Sequence, residues 1–170
     1  MTLRRRSFAA GMAGLVAVTL LAGCGFKLRS SQNFAFQTVA VTPERGAGVA
    51  AELTRYLGEA VRPVAPRDGG APPEAIVDIL QELREKTVVG VNASGQVREF
   101  QLRIKVKFRM RTPKGVELIA PTEIVQQRDI SFNESAVLAK EAEEALLYRD
   151  MQTDIVQQLL RRLAAVKSLD

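Results

Sequence analysis

The stretch Arg98-Glu99-Phe100-Gln101-Leu102-Arg103-Ile104-Lys105-Val106-Lys107-Phe108-Arg109-Met110-Arg111-Thr112 decides the fold. Its even positions from Phe100 to Met110 are all apolar, and its odd positions from Arg103 to Arg111 are all basic. A strand sends alternate side chains to opposite faces, whereas a helix would scatter this pattern around its axis. The stretch therefore predicts a strand with one wholly apolar face and one face of five positive charges. At ~3.4 Å per residue the charged row is roughly 27 Å long.

Working outward, Asn92-Ala93-Ser94-Gly95 predicts a turn before this strand, and Thr112-Pro113-Lys114-Gly115 a turn after it. A long alternating segment, Ala75 to Val91, precedes the first turn. Val77, Ile79, Leu83, Val89 and Val91 share one face in this reading, and Asp78, Glu82, Arg84 and Lys86 the other. A tight hairpin would set Leu83 opposite Ile104, Ile79 opposite Phe108, Glu82 against Lys105 and Asp78 against Arg109. A further alternating piece covers Val116 to Phe132, and Pro121 inside it marks an edge strand or a bulge.

Two helices flank these strands. Val49, Leu53, Tyr56 and Leu57 recur at three- and four-residue spacing within Glu44 to Ala60. Leu147, Met151, Ile155, Leu159, Leu163 and Val166 step along one face of a longer helix, about Ser135 to Val166, with Asn133 or Ser135 as its cap. Phe34 to Val41 reads as a short first strand. Residues 63–73 hold four prolines and two glycines and form a loop. The expected architecture is α+β: β-α-β-β-β-α, a mainly antiparallel four-stranded sheet, its strands joined by antiparallel meandering, with two helices packed on one face.

The N-terminus is of another kind. Arg4, Arg5 and Arg6 precede Phe8 to Ala22, which carries no charge and is too short to span a bilayer, where about 20 apolar residues are needed. This is the pattern of a secretory signal peptide. Arg5-Arg6-Ser7-Phe8 resembles a twin-arginine signal, and a plain basic cluster serves the general secretion route, so both export routes stay open. Leu21-Ala22-Gly23-Cys24 resembles the bacterial lipobox, which implies that residues 1–23 are removed and that Cys24 is lipidated. Gly25, rather than Asp, after the cysteine favours the outer membrane in that pattern. Residues 24–33 then form a lipid-anchored tether, and 34–170 a single domain.

Composition narrows the function. The whole chain of 170 residues has 24 Lys+Arg against 19 Asp+Glu, and removing the three signal arginines leaves 21 against 19. There is one cysteine and no histidine. Most metal sites and nucleophilic triads lack their residues, and no cofactor is expected beyond the covalent lipid on Cys24. A hydrolase using carboxylates alone lacks a paired-carboxylate arrangement, so the expectation is no enzyme. The basic face of Arg103, Lys105, Lys107, Arg109 and Arg111 has three readings. It is an ordinary solvated face, with cross-strand ion pairs contributing only ~0.2–1 kcal/mol each; a binder of envelope polyanions through charge-assisted hydrogen bonds, lipopolysaccharide foremost; or a protein-contacting surface. Nucleic acid is not expected, because Phe100 and Phe108 fall on the opposite face and cannot stack bases there.

Four stretches carry a family resemblance: Gly23 to Arg29; Arg98-Glu99-Phe100-Gln101-Leu102; Leu138-Ala139-Lys140-Glu141; and Leu147-Tyr148-Arg149-Asp150-Met151. In order and in combination they resemble the lipopolysaccharide-assembly lipoprotein family LptE. The resemblance implies a non-enzymatic lipoprotein that plugs the outer-membrane barrel LptD, assists its assembly and binds lipopolysaccharide. It implies a lipopolysaccharide-binding role for Lys140, which on a bare helix would instead pair with Glu144 at i,i+4. Relatives carry a basic residue in the turn that is Asn92–Gly95 here, and Arg98 is the nearest substitute. The alternative of another class is a glycolipid carrier or chaperone of the envelope that works without a barrel.

Overall fold

The computed structural model describes residues 33–66 and 69–170. The signal, the lipobox with Cys24 and the Gly23–Arg29 motif lie outside the described residues. Strand β1 (Val39–Thr42) is followed by helix α1 (Gly48–Leu57), then β2 (Ala75–Val91), β3 (Val97–Arg111) and β4 (Glu117–Ser131), and finally helix α2 (Val137–Ala165). The sheet order is β1-β2-β3-β4. β2, β3 and β4 pair antiparallel, as expected of hairpins. β1 pairs parallel with β2, not in the expected antiparallel meander. The intervening helix and loop return the chain to its starting edge, which only a parallel strand can then use.

β3 is the centre of the apolar face. Leu102, Ile104, Val106, Phe108 and Met110 are all fully buried. Against them pack Val49, Leu53 and Leu57 of α1, spaced by four, and Met151, Ile155, Leu159 and Leu163 of α2, likewise spaced by four. Both helices therefore lie on one face of the sheet. Tyr56, expected in the α1 stripe, is half exposed instead. β4 is an edge strand, and its pairing with β3 is irregular around Ala120 and Pro121. There Pro121 has no N–H to give to a ladder.

Boundaries differ from expectation where the first turn of an element lacks partners of its own. β1 begins at Val39, not Phe34; Phe36 still enters the core and stacks on Phe34 with ring centroids 4.9 Å apart. α1 begins at Gly48, not Glu44, and Glu44 instead accepts a hydrogen bond from the Val64 N–H across the loop. The long helix opens with a short 3₁₀ turn at Glu134–Ala136, capped by the Asn133 carboxamide oxygen, which accepts the Ser135 N–H at 3.0 Å.

The largest correction concerns β2. Ile79 pairs with Phe108 and Asp78 with Arg109, as the hairpin register predicts, but Leu80 is an extra residue in the ladder. From Gln81 to Val88 the strand is displaced by one, and further irregularities follow between Val88 and Val91. Glu82 stands opposite Val106, Leu83 opposite Lys105, Arg84 opposite Ile104 and Glu85 opposite Arg103. One such step exchanges the two faces of the residues beyond it, here as far as Val88. Glu82, Arg84 and Lys86 turn toward the helices, while Leu83 and Glu85 turn to the face of the basic row.

Candidate functional site

The basic row lies on the sheet face away from the helices, as predicted, but it is not bare. Asp78 is buried on that face and holds two of its members. Its Oδ2 accepts from Nε of Arg109 at 2.8 Å and from Nε of Arg111 at 2.9 Å, and its Oδ1 accepts from the Thr42 hydroxyl at 2.7 Å. Burial alone would raise the Asp78 carboxyl, but the hydrogen bonds from Arg111, Thr42 and Arg109 outweigh it and lower the pKa below its ordinary 3.8. Farther along, Glu85 takes Lys105 at 3.0 Å and Arg103 at 3.9 Å. Glu85 fills the place expected for Glu82, because the bulge swapped them.

Lys107 has no ion pair among the described residues. Its register partners are Gln81 on β2 and Glu123 on β4, and Glu117 stands in register with Arg111. Four carboxylates, Asp78, Glu85, Glu117 and Glu123, thus accompany the five bases. The sequence reading supplied only two, and one of those faces the other way. The positive surplus of the row is correspondingly smaller than expected. What results is a dense, mixed-charge polar surface.

The two remaining predicted residues gather at the far end of the sheet. The Arg98 carbonyl accepts from the Phe132 N–H at 2.7 Å. The neighbouring Ser131 hydroxyl accepts from Lys140 Nζ at 2.9 Å, and Glu143 pairs with Lys140 at 2.8 Å. The expected Lys140–Glu144 pair does not form, because Glu144 is taken by Lys86 at 2.6 Å. Arg98 and Lys140 therefore flank the Asn92–Gly95 hairpin end, several residues along β3 from Arg103. The turn itself closes through the Gly95 N–H to the Asn92 carbonyl and is uncharged.

A family model described as "LptE: Lipopolysaccharide-assembly" matches residues 36–163, the whole of this sheet and nearly all of α2. The chain belongs to the LptE family. LPS-assembly lipoprotein LptE of Pectobacterium atrosepticum is 26% identical over 89% of this chain and 82% of its own length. The protein of the same name from Photorhabdus laumondii is 25% identical over 91% of this chain and 85% of its own. Among solved structures, the uncharacterized lipoprotein B of Nitrosomonas europaea superimposes with a TM-score of 0.67 at 36% identity, covering 83% of this chain and 91% of that one. The rare lipoprotein B of Shewanella oneidensis shares the fold, with a TM-score of 0.59 at 21% identity over 75% of this chain and 92% of that one.

The LptE-family domain also carries a polar seam that the sequence reading missed. The Glu82 carboxylate accepts the Val49 N–H at 2.8 Å and so caps α1, whose own N-cap, Ala47, has no side-chain acceptor. Gly48 permits this approach: its φ is +57°, and a Cβ there would collide with both Glu82 oxygens. Arg84 pairs with Glu82 at 3.3 Å and donates to Gln152 of α2 at 2.6 Å, and Gln152 in turn donates to the buried Glu52 of α1 at 2.6 Å. The Tyr148 hydroxyl donates to the Glu85 carbonyl at 2.8 Å; burial first, and the Glu144 charge second, raise its pKa above 10.0. The register shift itself was the hidden signal, since it alone brings Glu82, Arg84 and Lys86 under the helices.

Proposed function

We propose that this LptE-family protein is a non-enzymatic lipoprotein, anchored in the outer membrane through Cys24, that plugs an LptD-like β-barrel, supports its assembly and binds lipopolysaccharide during delivery. The observation that carries this is the family match over residues 36–163. Two features support it. Large membrane barrels have polar interiors, and the helix-free face of the sheet offers charges of both signs at close spacing, as a plug of such a lumen requires. Arg98 and Lys140, at one end of the sheet, are suited to phosphates of the glycolipid.

Affinity purification of the full-length lipoprotein from detergent-solubilised outer membranes tests the reading. A single large β-barrel protein is expected in the eluate with bound lipopolysaccharide. Lipopolysaccharide without any barrel would favour the barrel-independent carrier, and the absence of both would end the proposal. In the same preparation Cys24→Ala is expected to shift the protein out of the outer-membrane fraction.

A further inference from the structure

The edges of the sheet are not protected alike. On β1 the Val39 carbonyl accepts the Arg62 N–H at 2.9 Å, and Val39 bridges to Val61. On β2, past the end of β1, the Glu85 carbonyl accepts the Tyr148 hydroxyl. β4 differs. Its register with β3 is unbroken over residues 122–131, and the Phe132 N–H continues it onto the Arg98 carbonyl. Backbone groups alternate in direction along an antiparallel ladder. The even residues of this stretch therefore bond to β3, while Glu123, Val125, Gln127 and Asp129 direct their N–H and C=O groups outward. The Gln127 carbonyl agrees, since it is reached by the Arg128 side chain at 2.8 Å. None of the four outward N–H groups has an acceptor among the described residues.

An open ladder is completed by another open ladder. A closed barrel has none to offer, and acyl chains carry no hydrogen-bonding groups. A second copy brings the same edge. A twofold axis perpendicular to the sheet pairs the two edges antiparallel, with outward residues meeting outward residues and the helices of both copies on one side. Such an axis passes through one residue of β4, and the sequence selects which. Centring on Glu123, Arg128 or Asp129 sets that charge against its own copy, and centring on Gln126 sets Glu123 against Asp129. Centring on Ile124 brings Pro121, which has no N–H, into the ladder, and centring on Gln127 sets Val125 against Asp129. Centring on Val125 avoids all of these. Val125, 44% exposed, meets Val125 of the second copy, Glu123 meets Gln127, and Pro121 falls at the end of the ladder.

There is room for this pairing. α2 bonds to β2 on one side through Gln152 and Glu144, and to β4 on the other through Asp154, so it lies over β3. At ~4.8 Å per strand its axis is about 7 Å from the twofold. The two α2 helices then stand about 14 Å apart, beyond the about 8–10 Å of packed helices.

We infer that β4 is a self-pairing edge, through which two copies of the lipoprotein join residues 123–127 antiparallel about Val125 into one continuous sheet. The pairing concerns the lipoprotein outside any barrel and does not rest on the plug reading. Full-length lipoprotein purified in detergent tests it by mild oxidation of cysteine variants, with the wild type, whose one cysteine is Cys24, as control. Val125→Cys is expected to give a disulfide-linked dimer, because directly opposed residues lie about 5.5 Å apart between Cα atoms. Glu123→Cys and Gln127→Cys are each expected to give none alone, their own copies being about 14 Å apart, but to cross-link when mixed.

Val125→Glu sets glutamate against glutamate across the axis while its own Lys105 stands in register beside it. It is expected to weaken dimerisation by roughly fivefold or more in analytical ultracentrifugation, with circular dichroism and urea unfolding unchanged. Overturning results are a monomeric wild type at the highest concentration reached, equal self-cross-linking at positions 123, 125 and 127, cross-linking of Val125→Cys only to another protein, or a dimer indifferent to Val125→Glu.

Discussion

The two halves of β2 run along the same neighbour yet do opposite things. Between Ala75 and Ile79 the strand alternates as its residues suggest: Val77 and Ile79 face the core, and Asp78 faces the basic row and binds it tightly. Beyond Leu80, the half that should have turned Leu83 to the helix side turns Glu82, Arg84 and Lys86 there instead, and these partly exposed charged residues bond to α1 and α2. The first half contributes to the domain by apolar burial. The second contributes by satisfying the ends and sides of helices. The lesson is that a single extra residue can convert an amphipathic strand from a core element to a polar scaffold without any change of composition.

The largest effect is expected from breaking that division. Deleting Leu83, beyond the bulge, would force Glu85 toward the core face and separate Arg84 and Lys86 from Gln152 and Glu144. Several hydrogen bonds and ion pairs are lost at once along with the ladder register, so a loss of about 3 kcal/mol is expected in urea unfolding, although Arg84 and Lys86 are 44% and 37% exposed. Deleting Leu80 should be far milder. Gln81 already pairs with Lys107, and removing the bulge residue joins two ladders that are each in register. If the two deletions cost the same, the bulge does not set the faces of β2.

Asp78 is the corresponding test for the first half. Asp78→Asn loses two charge-assisted hydrogen bonds, and a loss of about 1–3 kcal/mol at neutral pH is expected, since the freed arginines are partly exposed and can be hydrated. The carboxyl is held below its ordinary 3.8, so its contribution is complete above that pH and disappears as pH falls through the lower folded value. The stability gap between wild type and variant should therefore be constant from neutrality down to about pH 5 and close below 3.8. A gap that persists or widens in acid would mean that the Asp78 charge is not what holds the arginines.

Much of this architecture was legible, and the reason is periodicity. The strict alternation of β3 and the four-residue steps from Leu147 to Leu163 each had one consistent solution, and both were observed. The bulge was not legible because Leu80 carries no turn chemistry, no glycine and no proline; alternation reads straight through it from Ile79 to Leu83. The parallel pairing of β1 was hidden for a different cause, since a four-residue strand has too few positions to declare its direction. Of the candidate residues, the positions of the five bases could be placed from parity alone, but their partners could not. Glu85 was hidden with the register, and the Ser131 partner of Lys140 depends on where α2 crosses the edge strand.

The smallest expected effect sharpens the comparison from the other side. Glu85 occupies on the distal row the place that Asp78 occupies on the proximal one, each carboxylate shared by two bases. Asp78 has 9% side-chain exposure with contacts at 2.8 and 2.9 Å, whereas Glu85 has 33% with contacts at 3.0 and 3.9 Å. Water competes for the Glu85 pairs, and long side chains lose rotamer freedom in making them, so such pairs contribute little. Glu85→Gln is expected to cost less than about 1 kcal/mol at low salt and to fade further at high salt. Asp78→Asn should keep most of its effect under the same salt. Equal losses for the two substitutions would mean that the depth of Asp78, and with it the tighter half of the row, counts for nothing in the stability of the sheet.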